Sequence, residues 1–282
     1  MNSEKETSPN YKWFALLLLW VAFFLQQGTR QIYSATLPSI RDSFGVSSTA
    51  IGVVGTVFTF MYGICVPFAG IAADLFRRKW MVTIGVAVFC CGIFCSGFVG
   101  TVGLLILTYG VLNGLGQTFY YPSATSLISQ LHKETRATAL SLLQVGLYLG
   151  IIGCSWASGW MAEGGADGWR TPFRLFGGIG LAWAVALAFL LKDTKPAPVA
   201  GAPQKASAVE AVKAMVGKPS ALLLALGFGM MIYVDIGFKT WMPDYLKTSE
   251  AFADDFNVLS GRLPWLKGAP APGLSSKAAM DS

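Results

Sequence analysis

Residues 48–79 read STAIGVVGTVFTFMYGICVPFAGIAADLFRRK. The first 26 of them, residues 48–73, carry no charged side chain, whereas Arg77, Arg78 and Lys79 follow in succession. A run of about 20 apolar residues is long enough to cross the hydrocarbon core of a bilayer. Clustered basic residues beside such a run stay on the cytoplasmic side. The stretch therefore predicts a membrane-spanning helix that ends at the cytoplasmic surface.

The composition of the whole chain agrees with this prediction. Of the 282 residues, 54% are hydrophobic and only 13% are charged, whereas soluble domains carry about 25% charged residues. The net charge is +6, but no basic patch is interleaved with exposed aromatic residues, as nucleic-acid binding requires. We therefore expect an all-α, polytopic protein whose surroundings are the lipid bilayer, with no nucleic-acid partner.

Seven apolar segments are long enough to be spans, and most of the loops between them are short. The predicted spans are roughly residues 12–37, 48–73, 80–99, 102–130, 137–162, 172–191 and 220–246. We expect residues 1–191 to form a six-helix transmembrane bundle and residues 220–246 a seventh transmembrane helix. Residues 192–219 form a Pro/Ala-rich polar linker, and residues 247–282 form an atypical polar tail without a run of spanning length.

Basic residues alternate between the two sides of the predicted membrane. One side receives the N-terminus, the Arg77–Lys79 cluster, Lys133 and Arg136, and the five lysines of the linker. Because basic loops remain cytoplasmic, the N-terminus and the linker are predicted to be cytoplasmic. The predicted location is the plasma (inner) membrane.

Neither a catalytic site nor a metal site is indicated. The five cysteines all lie inside apolar runs, where cysteine usually serves as a small packing residue. No nucleophile stands beside a base, and no Gly-rich loop that would cradle a phosphate follows a strand. We expect no catalytic residue, no metal and no cofactor, and therefore not an enzyme.

Two pairs of glycines have the spacing that lets helices pack closely in membranes. They are Gly110 with Gly114, and Gly146 with Gly150. Small residues four apart form a face on which two helix backbones can approach each other. We expect close helix contacts at both pairs.

The loop after the second span, Gly70-Ile-Ala-Ala-Asp74-Leu-Phe-Arg77-Arg78-Lys79, resembles the signature loop of the major facilitator superfamily. Gly70, Asp74 and the basic pair Arg78-Lys79 match, whereas Arg77 replaces the second glycine. The resemblance implies a conformational gate at the cytoplasmic face that is formed by Gly70, Asp74, Arg78 and Arg136. It also implies twelve spans in two six-helix halves.

A narrower resemblance lies in the first span, residues 26–40, QQGTRQIYSATLPSI. It is similar to the first helix of organic-anion and organophosphate transporters, including sugar-phosphate and sugar-acid permeases, in which an arginine grips the substrate's anionic group. Many members have Asp where this chain has Thr29. The resemblance ends near Leu246, so we expect a chain that is truncated relative to the twelve-helix fold, lacks a C-terminal half and does not transport alone.

Arg30 is the sharpest candidate for a binding residue. It lies about 27 Å along the first span at 1.5 Å per residue, and a charge at that depth usually faces a cavity or a partner. Gln26 and Tyr33 share its helical face. Since guanidinium holds carboxylate or phosphate with two hydrogen bonds, these three residues are predicted to bind a small organic anion. The alternative is an arginine that snorkels outward or pairs structurally.

Polar residues on the fourth and fifth spans extend this prediction. Gln117 and Tyr120 share one face, and Gln144 lies on the following span. They are predicted to bind substrate, the alternative being hydrogen bonds between helices. His132, the one histidine of the chain, is predicted to be a solvated loop residue.

Asp235 and Lys239 lie one turn apart on the seventh span. Lys239 is predicted as a second cation for the substrate and Asp235 as a coupling group, whereas an ion pair between them is the alternative. Spans one to six carry no carboxylate at membrane depth, which favours anion exchange over proton symport unless the absent half supplies the acid.

Taken together, the sequence predicts a secondary active transporter of small organic anions that works by alternating access. Two alternatives remain open at this point. One is a seven-helix retinal protein that uses Asp235 and Lys239 as counterion and Schiff-base lysine, as microbial rhodopsins do. The other is a half-size transporter that dimerises.

Overall fold

The computed structural model describes residues 9–165, 167–192 and 218–248. The regular structure of this part is helical, as predicted. Seven long helices lie in it: α1 Pro9–Phe44, α2 Ser48–Leu75, α3 Arg78–Ser96, α4 Val102–Leu131, α5 Arg136–Ala162, α6 Arg170–Leu190 and α7 Pro219–Thr248. Most of the predicted linker and nearly all of the predicted tail lie outside the described residues. Helices α1–α6 belong to one compact unit and α7 belongs to a second.

Five of the seven predicted spans have the length and hydropathy of a membrane-crossing helix in the described part of the chain. They are Ser48–Gly70 and helices α3, α4, α5 and α6. The first predicted span does not reach the same hydropathy because Gln26, Gln27 and Arg30 interrupt its apolar run. In α7 the apolar stretch is the shorter segment Leu222–Phe238.

Short turns join the first helices, and local side chains fix where they begin. Gly45 adopts a φ of 62°, a left-handed conformation that suits glycine, and so turns the chain between α1 and α2. Ser47 caps α2 by accepting a hydrogen bond from the amide of Ala50, at 3.3 Å. Thr101 caps α4 in the same way through the amide of Leu104.

The start of α6 is tied to the turn between α3 and α4. Arg170 donates to the carbonyl oxygen of Val99 and pairs with Asp167 at 2.7 Å. Arg174 donates to the carbonyl oxygen of Gly97 at 2.8 Å. These arginines therefore clamp one end of the bundle.

Packing within α1–α6 produces two apolar cores. Helix α1 packs mainly along α5, α3 along α4 and α6, and α2 along α4. We call the core toward the α2–α3 turn the inner core; its largest buried residues include Leu19, Phe23, Phe89, Tyr120 and Leu187. The outer core lies toward the α1–α2 turn and includes Ile32, Leu37, Phe58, Tyr109 and Phe173.

The predicted close packing at Gly146 and Gly150 is confirmed, and the partner helix is α1. A Cβ atom at Gly150 would lie 2.4 Å from the carbonyl oxygen of Phe24, and one at Gly28 would lie 2.3 Å from Sγ of Cys154. Real Cβ contacts of that length do not occur, so α1 and α5 touch through backbone at this point. At the other predicted pair, a Cβ at Gly114 would lie 3.2 Å from the carbonyl oxygen of Phe58 on α2.

This contact predicts the effect of a single methyl group. Gly150→Ala should destabilise the protein by about 1–3 kcal/mol, because the new Cβ meets backbone that has no rotamer to change. Gly159→Ala is the matched control on the same helix, since its Cβ would meet nothing within 4 Å. Thermal unfolding of the detergent-solubilised protein measures both, and equal melting temperatures for the two variants would contradict the assigned α1–α5 contact.

Candidate functional site

A polar layer separates the two apolar cores. Along α1 the inner core ends at Phe23 and the outer core begins at Ile32. Along α4 the outer core ends at Tyr109 and the inner core begins at Tyr120. Polar side chains with little or partial exposure lie in between on both helices: Gln26, Thr29 and Arg30 on α1, and Asn113 and Gln117 on α4.

Hydrogen bonds connect three amide residues of this layer, Gln26, Gln117 and Asn113, and we call this set the amide chain. Gln26 Nε2 donates to the main-chain carbonyl oxygen of Gln117 at 2.9 Å. Gln117 Nε2 in turn donates to Oδ1 of Asn113 at 2.9 Å. All three side chains are at most 2% exposed. The amide chain therefore joins α1 to α4 inside the bundle.

The amide chain has hydrogen-bonding capacity that the described residues do not use. Oε1 of Gln26, Oε1 of Gln117 and Nδ2 of Asn113 are buried without a protein partner in that part of the chain. Leaving such a group unsatisfied costs about 1–3 kcal/mol. Apolar side chains at these positions would avoid that cost. The amide groups therefore suit a polar partner that uses their free donors and acceptors, either water or a ligand.

Arg30 lies one turn beyond Gln26 on α1 and is partly buried. Its Cζ lies 5.1 Å from the ring centroid of Phe58 and 5.2 Å from that of Tyr62, both on α2. Among the described residues no carboxylate pairs with it. Cation–π contact stabilises a desolvated cation by about 2 kcal/mol without using its N–H donors. The guanidinium is thus held on two aromatic faces and can still donate to an anion.

The rings around Arg30 are themselves fixed by packing among α1, α2 and α4. Tyr33 stacks on Tyr109 with 4.6 Å between ring centroids, and its hydroxyl donates to the carbonyl oxygen of Ile51 at 2.5 Å. Tyr109 donates to the carbonyl oxygen of Arg30 at 3.2 Å. Tyr33 was predicted to bind substrate. In the structure its hydroxyl makes a hydrogen bond from α1 to α2, and its ring supports the surroundings of Arg30.

Tyr120 differs from the prediction that it lines a cavity. It is completely buried, its ring stacks on Phe23, and its hydroxyl donates to the carbonyl oxygen of Leu19. Although Tyr120 shares a helical face with Gln117, its hydroxyl does not bond to the amide chain. It belongs to the inner core.

Gln144 lies elsewhere, in a cavity between α4 and α5 with a volume of about 520 Å³. The cavity also contains Arg136, which was predicted as a gate residue. Its lining residues are Tyr121, Thr125, Ser126, Ser129, Arg136, Leu140, Leu143 and Gln144. The sequence placed Gln144 with Arg30, and the structure groups it with Arg136.

The other predicted gate residues lie at the same end of the bundle. Gly70 is in α2, and Arg78 is the first residue of α3 and is only 4% exposed. Arg136 is the first residue of α5 and is exposed. The side chain of Asp74 lies outside the described part of the chain. The conformational gate that these residues were predicted to form stays a prediction.

Asp235 and Lys239 both lie in α7, one helical turn apart. The side chain of Lys239 is outside the described residues. Because α7 belongs to the second unit, the predicted roles of these two residues in substrate binding and coupling also stay predictions.

The prediction of a solvated His132 is wrong. This side chain is 1% exposed, with Nδ1 3.0 Å from Oγ1 of Thr135 and Nε2 3.0 Å from the carbonyl oxygen of Lys12. Its ring also packs edge-on against Trp13. The histidine connects the α4–α5 turn to the start of α1, a contact between residues 120 positions apart that local composition does not reveal.

Comparison with known proteins identifies the family. The model of the Major Facilitator Superfamily matches residues 19–276. The chain belongs to the Major Facilitator Superfamily. This confirms the resemblance of the loop at residues 70–79, and it decides against the seven-helix retinal protein. The match also continues beyond Leu246, where we expected the resemblance to end.

Individual facilitator-superfamily relatives are about a quarter identical to this chain over the aligned residues. Protein spinster of Drosophila melanogaster is 26% identical over 242 residues, which are 83% of this chain and 39% of that protein. The hexuronate transporter of Bacillus subtilis is 26% identical over 263 residues, which are 90% of this chain and 61% of that protein. The chain thus spans about two fifths to three fifths of the length of these relatives.

The fold is also that of solved transporters. A bacterial homologue of the human lysosomal transporter Spinster, in an inward-facing and unoccupied conformation, aligns with a TM-score of 0.72. The identity is 19%, and the alignment covers 91% of this chain and 64% of that one. Together with the apolar helices, this makes the protein a multi-pass membrane protein of the facilitator fold.

The amide chain predicts different costs for two similar substitutions. Gln26→Leu removes one hydrogen bond but also one unsatisfied oxygen, so it should change the free energy of unfolding by less than about 1 kcal/mol. Gln117→Leu also strips Asn113 Oδ1 of its donor and should cost about 1–3 kcal/mol. Denaturation of the two variants in detergent tests this difference. A large loss for Gln26→Leu would mean that its oxygen has a structural partner.

Proposed function

We propose that this chain forms part of a secondary active transporter of small organic anions that works by alternating access, and that Arg30 binds the anionic group. The substrates that fit are sugar phosphates, sugar acids and other carboxylates. The observation that carries the proposal is a guanidinium in the polar layer that is held by aromatic rings and by no described carboxylate.

A charged side chain within the membrane raises the free energy of the folded protein, and residues of this kind usually have a function. If Arg30 had only a structural role, a carboxylate beside it would neutralise the charge and use its donors. Phe58 and Tyr62 instead leave the N–H groups available. Guanidinium can then grip a carboxylate or phosphate with two parallel hydrogen bonds.

The amide chain supports a substrate that carries hydroxyl groups as well as a charge. Oε1 of Gln26 and Oε1 of Gln117 can accept hydrogen bonds, and Nδ2 of Asn113 can donate one. Gln26 precedes Arg30 by one turn on the same face of α1. A sugar acid would place its charge on the guanidinium and its hydroxyls toward the amides.

The name of one relative supports this substrate class. This relative is named as a hexuronate transporter, and a hexuronate combines a carboxylate with several hydroxyl groups. Facilitator-type transporters bind substrate near the midplane, between two repeats. We therefore propose that α1, α2 and α4 supply one wall of the site.

The remaining predicted roles fit the same scheme as proposals. Lys239 is a second cation for the substrate and Asp235 a coupling group, while Gly70, Asp74, Arg78 and Arg136 form a gate that stabilises one alternating-access state. We also propose that the basic end of the bundle faces the cytoplasm, with the N-terminus on the cytoplasmic side of the plasma (inner) membrane.

Arg30→Gln tests the proposal directly. Removal of the charge should weaken galacturonate binding by at least about tenfold, because a hydrogen bond to a charged group is worth about 1.5–3 kcal/mol. Arg30→Lys should recover part of the affinity, since ammonium keeps the charge but lacks the fork-shaped donor pair. Calorimetric titration of the solubilised 282-residue chain measures the dissociation constants.

Arg41→Gln is the matched control, because Arg41 lies on the same helix and pairs with Asp42 at 3.1 Å. It should leave binding unchanged. Glucose, which lacks the carboxylate, should bind weakly to every variant. Equal galacturonate affinity for the wild type and Arg30→Gln would reject Arg30 as the anion-binding residue.

A further inference from the structure

The cavity between α4 and α5 lies beside the inner core, because the core residue Leu143 is part of its lining. It occupies about 520 Å³, within the range of ordinary ligand pockets. Its opening is bordered by the exposed residues Tyr121, Arg136 and Gln144. Leu140 and Leu143 supply apolar surface along one wall. The cavity thus combines a cation, polar groups and an apolar wall.

Several polar groups of this cavity have no protein partner in the described part of the chain. They are the hydroxyls of Tyr121, Ser126 and Ser129, the amide of Gln144 and the guanidinium of Arg136. Thr125 differs, because its hydroxyl donates back to the carbonyl oxygen of Tyr121 at 2.8 Å. The cavity therefore presents an arginine and up to four neutral donors, and none of its lining residues is acidic.

The start of α5 adds positive potential to the same place. Arg136 is the first residue of this 27-residue helix, whose first turn contains no acidic residue. Thr135 makes no side-chain cap, because its hydroxyl contacts Nδ1 of the buried His132. The free N–H groups and the dipole at a helix start both favour an anion. Glu134 is exposed and does not line the cavity.

We propose that this cavity is a second anion site, which binds the phosphate group of an organic phosphate ester through Arg136, Ser126 and Ser129. Phosphate fits better than carboxylate because it offers three terminal oxygens to a set of donors that exceeds what two oxygens can use. The carbon body of the ester packs against Leu140 and Leu143. The phosphate comes either from a soluble ester or from the headgroup of an anionic lipid.

This site is separate from the one around Arg30 and does not depend on it. Arg30 lies in the polar layer between the cores, whereas Arg136 lies at the basic end of the bundle. A phosphate on Arg136 competes with the proposed gate contact to Asp74 for one guanidinium. Occupancy of the cavity would then bias the gate.

Calorimetric titration of the solubilised full chain with phenyl phosphate tests the site in three variants. We expect Arg30→Gln to keep phosphate binding at the cavity and Arg30→Gln/Arg136→Gln to lose it, with affinity falling at least about tenfold. Lys133→Gln is the matched control, because Lys133 is an exposed cation three residues from Arg136 that does not line the cavity. Added to Arg30→Gln, it should leave the affinity unchanged.

The results separate this proposal from the proposed function. If Arg30→Gln alone abolishes all phosphate binding, the second site is rejected and the role of Arg30 stands. If Arg30→Gln leaves the galacturonate affinity unchanged while Arg136→Gln lowers the phosphate affinity, the role of Arg30 is rejected and the second site stands. An equal loss of phosphate affinity from Lys133→Gln would mean that diffuse surface charge attracts the phosphate, and this would overturn the second site.

Reconstitution in lipid nanodiscs distinguishes the two sources of phosphate. The Arg30→Gln variant is placed in phosphatidylcholine alone or with one fifth phosphatidylglycerol. Weaker phenyl phosphate binding with the anionic lipid, seen equally in the Arg30→Gln/Lys133→Gln variant, identifies a lipid headgroup as occupant. Equal affinity in both bilayers identifies a soluble ester, because the lipid then does not compete.

Discussion

A guanidinium between two apolar cores constrains the arrangement of helices α1, α2 and α4. Transfer of such a charge out of water costs several kcal/mol, and the bundle offsets part of that cost with the faces of Phe58 and Tyr62. Aromatic faces attract a cation without accepting its hydrogen bonds in the strong, directional way that a carboxylate does. The charge is therefore tolerated and remains chemically available, which is the condition for reversible binding of an anion.

The orientation of Arg30 depends on a contact on the other side of α1. Gly28 and Gly150 bring α1 and α5 into backbone contact, so α1 has little freedom to rotate about its axis. The opposite face of α1 must then meet α2 and α4. Helix α4 contains a π-helical segment, Ile106–Asn113, and its last residue, Asn113, belongs to the amide chain. Such segments often mark functional positions, and here the wider turn lies where the two cores separate.

The fold could largely be predicted from sequence, because hydropathy, basic clusters and the loop at residues 70–79 are local signals. Arg30 could be predicted for the same reason: a lone charge inside an apolar run is visible without knowledge of its neighbours. Its partners could not. Gln26 meets Gln117 across 91 positions, and the aromatic pair on α2 reaches Arg30 only through the particular register of two helices. Helical periodicity tells which residues share a face, but not which helix that face meets.

Arg30 and Arg136, the two arginines of the proposed anion sites, differ in the surroundings that make each one able to bind an anion. Arg30 is partly buried beside two aromatic rings, where its attraction to an anion is less screened than at the surface, and the amide chain adds hydrogen-bonding groups. Arg136 is exposed at a helix start, where water and salt screen its charge and hydroxyl groups supply the additional donors. A mid-depth site of the first kind discriminates between solutes, whereas a surface site of the second kind exchanges its anion quickly. On these physical grounds the proposed transport site belongs at Arg30, and the α4–α5 cavity is suited to loading or regulating the basic end of the bundle.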